Sequence, residues 1–382
     1  MNKVFHLFVV TVLVLFFSVS LQAKDTIKIG AILAVTGPAS FLGDPELKTL
    51  QMRIAEINKQ GGVLGKKLEL VHYDNGANPK KAVTFVKRLI NQDKVDAIIG
   101  ASASGDSLAI MPFVQKAKIP MVSLGGSIKI VEPAQSYVFK TPATDRMACQ
   151  KIYEYLEAKG KTKIALISGN GGFGKSMRAQ CKDVASDYGI TVLADETYGA
   201  KDTDMSSQLT KIKNTKGVQA VVNPGFGQGP IIVTKNFKQL GLKQLLVQSH
   251  GVASDTFIKL TGEAGEGVLV ASPPILVANL LKDSNPIKKM TLGYVHNYET
   301  KYDEPVSTFG GYAYDALGLI VEAMKTAKST NKTKVRNALE KTSGFAGVNG
   351  IFDMSKKDHL GIDIDTGIKI LAIEKGDWKI AN

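Results

Sequence analysis

The sequence predicts an α/β protein built as two doubly wound parallel-sheet lobes. Short apolar runs of β character alternate with amphipathic helical runs of roughly 10–15 residues, the pattern of βαβ units whose parallel sheet is covered on both faces. The alternation completes one set by about residue 140 and restarts after Lys140-Thr141-Pro142. The 382 residues exceed one ordinary domain, and no Pro/Ser/Gly-rich tether separates the halves. Two coupled lobes therefore fit better than one very wide sheet or two domains on a linker.

Taken in order, residues 27–32 read as a strand, followed by the loop Ala34-Val-Thr-Gly-Pro-Ala. Asp44 as N-cap and Pro45 at the first helical position predict a helix with Leu47, Leu50, Ile54 and Ile57 on its inner face, stopped by Gly61. Residues 68–73 form a second strand, and Asn78-Pro79 opens a second helix that turns Val83, Val86 and Ile90 inward. A strand at 95–99, a helix at 106–117 and a strand at 120–123 complete the first set. The second set runs helix 145–159, strand 163–167, helix 174–187, strand 190–196, helix 204–214, strand 218–222, helix 230–240 and strand 245–248. After a strand at 268–270, long helices follow near 286–301, 312–327 and 332–341, and residues 351–353 and 368–373 return to β character.

The amino terminus says where such a chain works. Lys3 precedes an apolar run over residues 7–19, interrupted only by Thr11 and Ser18, and Leu21-Gln22-Ala23 offers a small residue at the cut. This is the layout of a secretory signal peptide, removed after about Ala23, and the run is shorter than the ~20 residues a bilayer span needs. No cysteine stands near the cut, which argues against a lipid anchor. The expected protein is soluble and outside the cytoplasm, where ATP, NAD and reduced glutathione are scarce. The net charge of +13 is spread over helices and loops without an aromatic–basic stripe, so nucleic-acid binding is not expected. The two cysteines, Cys149 and Cys181, form either a disulfide or two buried thiols that never meet, and spacing alone does not choose between them.

Few motifs carry chemistry. Gly169-Asn-Gly-Gly-Phe-Gly174-Lys175-Ser176 fits the phosphate-loop pattern between a strand and a helix. Export away from ATP opposes that reading, as does the lack of a later strand ending in an acid to hold magnesium. His72, His250, His296 and His359 show no metal-ligand spacing, no nucleophile elbow is present, and Asp363 and Asp365 read as turn residues. An enzyme is not expected, and no cofactor or metal is implied. What remains are polar loops at strand ends, where open α/β sheets bind ligands. Ala101-Ser-Ala-Ser104-Gly-Asp106 and Ser123-Leu-Gly125-Gly-Ser127 combine small residues with hydroxyls and helix amino ends, a setting for a carboxylate.

Several segments, in this order and spacing, resemble the periplasmic leucine/isoleucine/valine-binding proteins, the solute receptors of ABC importers. They are Ile27-Lys-Ile-Gly-Ala-Ile, Thr36-Gly-Pro, Gly43-Asp44, Ile57-Asn-x-x-Gly-Gly-Val-Leu-Gly-Lys, Tyr73-Asp and Asn78-Pro79-x-x-Ala82, then Ile99-Gly100, Phe173-Gly174 and Gly265-Glu-Gly-Val-Leu-Val. The resemblance covers essentially the whole chain after the leader. It implies two lobes joined by a three-crossover hinge that closes on a ligand, with an N-terminal lobe of residues 24–141 plus 273–350 and a C-terminal lobe of 142–272 plus 351–382. It implies a monomer in the periplasm with two partners, a small carboxylate ligand and an ABC permease in the inner membrane. By the same resemblance Ser104 holds the ligand carboxylate, Gly125 and Ser127 assist it, Leu42 walls the pocket, and Phe173 and Phe226 stand where the amino-acid binders carry tyrosines.

One departure sets the expected ligand. Where the amino-acid binders place a glutamate for the ligand ammonium, this chain has Gln248-Ser-His250-Gly. A buried α-ammonium without a charged partner costs several kcal/mol; Asp106 and Glu196 are the nearest substitutes in kind, and neither aligns with the family acid. Gly43-Asp-Pro, Thr144-Asp-Arg-Met-Ala-Cys149 and His250-Gly-Val-Ala resemble a branch associated with aromatic or other organic carboxylates. Arg146 is either part of that site or a surface arginine on a first helical turn. The expected ligand is thus a carboxylate lacking an α-ammonium. A branched-chain amino-acid receptor and a ligand-sensing module for a membrane receptor are the alternatives.

Overall fold

A computed structural model describes residues 26–381, so the leader expected at residues 1–23 lies outside the described residues. The first sheet comprises β1 (Thr26–Leu33), β2 (Lys67–Asp74), β3 (Ala97–Gly100), β4 (Met121–Ser123) and β5 (Val138–Lys140), all parallel, in the order β2-β1-β3-β4-β5. Helices α1 (Ser40–Lys59), α2 (Pro79–Arg88) and α3 (Ser104–Ala117) make the crossovers. Every residue of β3 and β4 is buried, as central strands covered on both faces must be, and so is every residue of the edge strand β5.

The chain then enters a second sheet. Helix α4 (Asp145–Ala158) leads to β6 (Lys163–Gly169), followed by α5 (Gly172–Asp183), β7 (Thr191–Tyr198), α6 (Ser206–Asn214), β8 (Ala220–Asn223), α7 (Gln228–Gln239), β9 (Leu245–Gln248), α8 (Asp255–Thr261) and β10 (Leu269–Ser272). It returns to the first sheet with α9 (Lys288–Tyr302), α10 (Thr308–Ala327) and α11 (Lys332–Leu339), α10 lying on α1, β3 and β4. A two-stranded hairpin, β11 (Phe345–Ala346) with β12 (Ile351–Phe352), and the single turn α12 (Ile364–Gly367) precede β13 (Lys369–Glu374) and β14 (Asp377–Ile380). The second sheet is ordered β14-β13-β10-β9-β8-β6-β7. Three passages between the sheets result: after β5, after β10 and before β13.

Differences from the sequence reading have local causes. The second sheet is parallel from β7 through β10, but β13 and β14 join it antiparallel. The turn between them, Lys375-Gly376, has positive φ at both residues, the geometry of a two-residue hairpin. Helix α1 begins at Ser40, so Asp44 and Pro45 sit inside it. There Gly43 lies so close that a Cβ would overlap the Ala34 backbone, and this packing against the end of β1 overrides the N-cap signal. Cys149 of α4 and Cys181 of α5 are joined by a disulfide, with Cα atoms 5.1 Å apart in fully buried positions.

Candidate ligand-binding site

The carboxyl ends of β1, β3 and β4 face those of β6, β8 and β9 across a cleft, and the lobes meet there. A cavity of about 30 Å³ lies between them. The first lobe and the first crossover line it with Leu42, Ser102, Ala103, Ser104, Leu124, Gly126, Pro142, Phe309 and Tyr312; the second lobe adds Phe173, Phe226, His250 and Gly251. Of the residues expected at the site, Leu42, Ser104, Phe173, Phe226 and His250 meet on this one cavity.

The polar geometry favours an anion. Ser104 Oγ accepts the Ser127 N–H at 3.1 Å, leaving the Ser104 hydroxyl proton to donate elsewhere. Helix α3 starts after Ala103 and α5 after Gly171, neither of which has a side chain that could cap the free amides. The two amino ends abut: a Cβ on Gly172 would come within 2.9 Å of the Gly105 Cα, so only glycine permits this approach. Each end carries the positive pole of its helix.

No acidic side chain lines the cavity among the described residues, although Asp106 lies in the first turn of α3 behind it. Glu46 stands behind it, hydrogen-bonded by the Ser102 hydroxyl, and burial raises its carboxyl well above the usual range. Asp106 is buried against Asn75 Nδ2 at 2.6 Å, and burial pushes it up to about 6. Glu196 faces Lys211 outside the cavity.

His250 is nearly fully buried, edge-on to Phe173 with ring centroids 5.2 Å apart. Neither of its ring nitrogens has a hydrogen-bond partner. Burial, then the nearby Lys140 charge, depress its pKa to about 3, so the ring is neutral at physiological pH. A buried donor or acceptor left unmatched costs about 1–3 kcal/mol, which a ligand group facing the ring would recover.

Three expected residues take other roles. Gly125 does not line the cavity: its N–H donates to Ser123 Oγ at 3.1 Å, and the exposed backbone is that of Gly126. The Ser127 hydroxyl pairs with Ser176 Oγ of the second lobe at 2.6 Å, a bond across the cleft that removes it from the lining. Arg146 points away from the cavity. Its Nε donates to Gln180 Oε1 at 2.6 Å, and its guanidinium pairs with Glu132 at 3.2 Å and Asp183 at 3.8 Å. In the phosphate-loop match, a Cβ on Gly174 would overlap the Gly169 carbonyl, and Lys175 is exposed to solvent. Asp363 caps α12 by accepting from the Asp365 and Thr366 amides.

The sequence reading does not include the aromatic wall from α10. Phe309 and Tyr312 share a helix face at i,i+3, and the Phe-Gly-Gly-Tyr run is the available signal. Those two glycines let α10 pack against Tyr294 and Asn349.

The family model for periplasmic binding proteins matches residues 26–364. The chain belongs to this family. Among its relatives is a leucine-, isoleucine-, valine-, threonine- and alanine-binding protein of Pseudomonas aeruginosa, 28% identical over 320 residues and 83% of each chain. An extracellular ligand-binding receptor from Rhodopseudomonas palustris HaA2 superposes with a TM-score of 0.87 at 25% identity, over 94% of this chain and 100% of that one. A branched-chain amino acid transporter substrate-binding protein of Streptococcus pneumoniae, solved with isoleucine, gives 0.82 at 27% identity, over 94% and 99%. These relatives share with this chain the periplasmic-binding-protein family and its two α/β lobes. None of these three names speaks of an aromatic acid, so the resemblance to an aromatic-acid branch has no counterpart among them.

Proposed function

We propose that this periplasmic binding protein is the solute receptor of an ABC importer, and that it clamps a small carboxylate lacking an α-ammonium. The observation that carries this reading is the cavity's charge. Two helix amino ends and the Ser104 hydroxyl converge on it, while no acid among the described residues lines it and a neutral imidazole stands with both nitrogens unmatched. A carboxylate meets donors there; an ammonium meets none of the negative charge it needs. Phe173, Phe226, Phe309 and Tyr312 supply apolar faces suited to an aromatic ring, with a ring hydroxyl or carbonyl facing His250.

The cavity holds no more than one or two waters in this arrangement. A ligand therefore enters by separation of the lobes. The lobes we assign are residues 24–141 plus 273–350 and 142–272 plus 351–382, with no reaction catalysed between them. Docking of the closed monomer on its permease delivers the ligand, and the leader places the protein in the periplasm. The second reading, a branched-chain amino-acid receptor, is favoured by the relatives' names. It requires Glu46, one hydrogen bond behind Ser102, to serve as the ammonium's partner.

A thermal-shift screen of the purified mature protein against benzoates, short-chain acids and amino acids tests the proposal. A ligand at 100 times its Kd adds about 2.7 kcal/mol of stability. Stabilisation by aromatic or other acids lacking an ammonium supports it; stabilisation by branched-chain amino acids alone contradicts it.

A further inference from the structure

We propose that Lys140 is the charge that selects an anionic ligand for this cleft, acting through the Gly126 loop rather than by direct contact. Lys140 ends β5 immediately before the first crossover, and its side chain is fully buried. Nζ donates to the Gly126 carbonyl at 3.0 Å and lies 3.4 Å from that of Ala143. Gly126 lines the cavity and Pro142, beside Ala143, does too, so the ammonium is held directly behind the ligand wall. Among the described residues no carboxylate lies within ion-pair distance of it.

Three titratable groups face Lys140 from the packed elements: Asp145 at the start of α4, Glu132 in the turn before β5, and His250 after β9. Asp145 accepts from the Ile128 and Arg146 amides through Oδ1, and its buried Oδ2 has no hydrogen-bond partner, yet the carboxylate is not within ion-pair distance of the lysine. The lysine is thus an under-compensated buried cation beside a cavity that lacks an acid. Burial pushes its pKa down to about 7, against the weaker upward pull of Asp145 and Glu132. A carboxylate arriving on the far side of Gly126 returns the missing negative charge and raises that pKa again, so binding above neutral pH takes up a proton. A neutral isostere does neither.

The inference rests on the reading of the cavity as a carboxylate site, and the test separates the two. Wild type, Lys140→Met and Lys140→Arg are titrated calorimetrically with 4-hydroxybenzoate and 4-hydroxybenzamide, at pH 5.5 and 8, in two buffers of different ionisation heat. Wild type is expected to take up about 0.4 of a proton per 4-hydroxybenzoate at pH 8, the value a one-unit rise from about 7 gives, and almost none at pH 5.5, with affinity falling as pH rises through 7. Lys140→Met loses about tenfold, or ~1.4 kcal/mol, for the acid and keeps its affinity for the amide.

Lys140→Arg retains the acid affinity at both pH values and takes up no proton, because arginine does not titrate. This variant leaves Asp145, Glu132 and His250 in place, so it also decides the matter if Lys140→Met fails to fold. Proton uptake that persists in Lys140→Arg, or an unchanged acid-to-amide ratio in folded Lys140→Met, overturns the proposal. If wild type binds leucine and not 4-hydroxybenzoate, the ligand reading fails. Leucine then replaces the acid in the same series, and uptake lost in Lys140→Arg still supports the lysine's role, whereas no uptake in wild type refutes it.

Discussion

Replacing His250 by glutamate should convert the ligand preference of the cleft. Position 250 points at the ligand loop: a Cβ on Gly126 would come within 2.6 Å of His250 Nε2. The side chain is nearly fully buried, and neither nitrogen has a partner to lose. Burial, the larger cause of the imidazole's low pKa, favours a neutral carboxyl here, while the Lys140 charge and an arriving α-ammonium both pull the introduced side chain toward its ionised form. His250→Glu therefore supplies the acid that an α-ammonium requires.

A hydrogen bond to a charged group is worth about 1.5–3 kcal/mol, so leucine affinity should rise roughly 10- to 150-fold at pH 7. An aromatic acid should weaken by a comparable factor, because its ring or ring hydroxyl now meets a buried charge. Calorimetry with leucine and 4-hydroxybenzoate on both proteins reads this directly, with circular dichroism confirming that the variant is folded. A folded His250→Glu protein that binds the aromatic acid as before and gains nothing for leucine would remove position 250 from the ligand face and with it the charge argument.

The remaining predictions concern stability and closure. The folded-state pKa of His250, about 3, lies below its unfolded value of about 6.5. The unfolded chain binds more protons across that window, so stability falls as pH drops from about 6.5 toward 3, and urea titrations of His250→Gln should show a flatter decline there. The Cys149–Cys181 bond closes a sequence separation of 32 residues between two buried helices. Replacing both cysteines by alanine should lower stability by about 2–4 kcal/mol in guanidinium denaturation, and an unchanged midpoint would show that the bond does not constrain the chain. Ser127→Ala and Ser176→Ala should each weaken binding by about 0.5–1.5 kcal/mol through the lost bond across the cleft, with the double variant no worse than either single one. Fully additive losses would mean that the two hydroxyls act separately.

The parts of this molecule visible in the sequence are those written in local pattern. The rhythm of strands and helices marks both sheets, and Asn78 caps α2 as its type suggests, accepting from the Lys80 and Lys81 amides. The strand-end loops point to Ser104, whereas Phe173 and Phe226 come from the family resemblance and not from local pattern. What escapes is set by contacts between distant segments. Nothing around Ser127 indicates that its hydroxyl meets Ser176, 49 residues away, because that bond exists only when the lobes close. The sequence places Leu42 in a loop, yet it lies inside α1, since the approach of Gly43 to Ala34 extends the helix past its apparent start. Strands β5 and β14, of three and four residues, are too short for periodicity to reveal. Lys140 reads as one of many lysines, and only its burial behind Gly126 distinguishes it.

The central claim is that an uncharged imidazole and an acid-free cavity exclude an α-ammonium. It is tested most directly by titrating the mature protein with leucine and with 4-hydroxybenzoate in one calorimeter at pH 7, after unfolding and refolding to remove any carried ligand. Saturable binding of the aromatic acid, with leucine at least 100-fold weaker (about 2.7 kcal/mol), is the predicted result. Tight leucine binding with the aromatic acid inert would contradict the account and turn attention to Glu46 as the ammonium's partner.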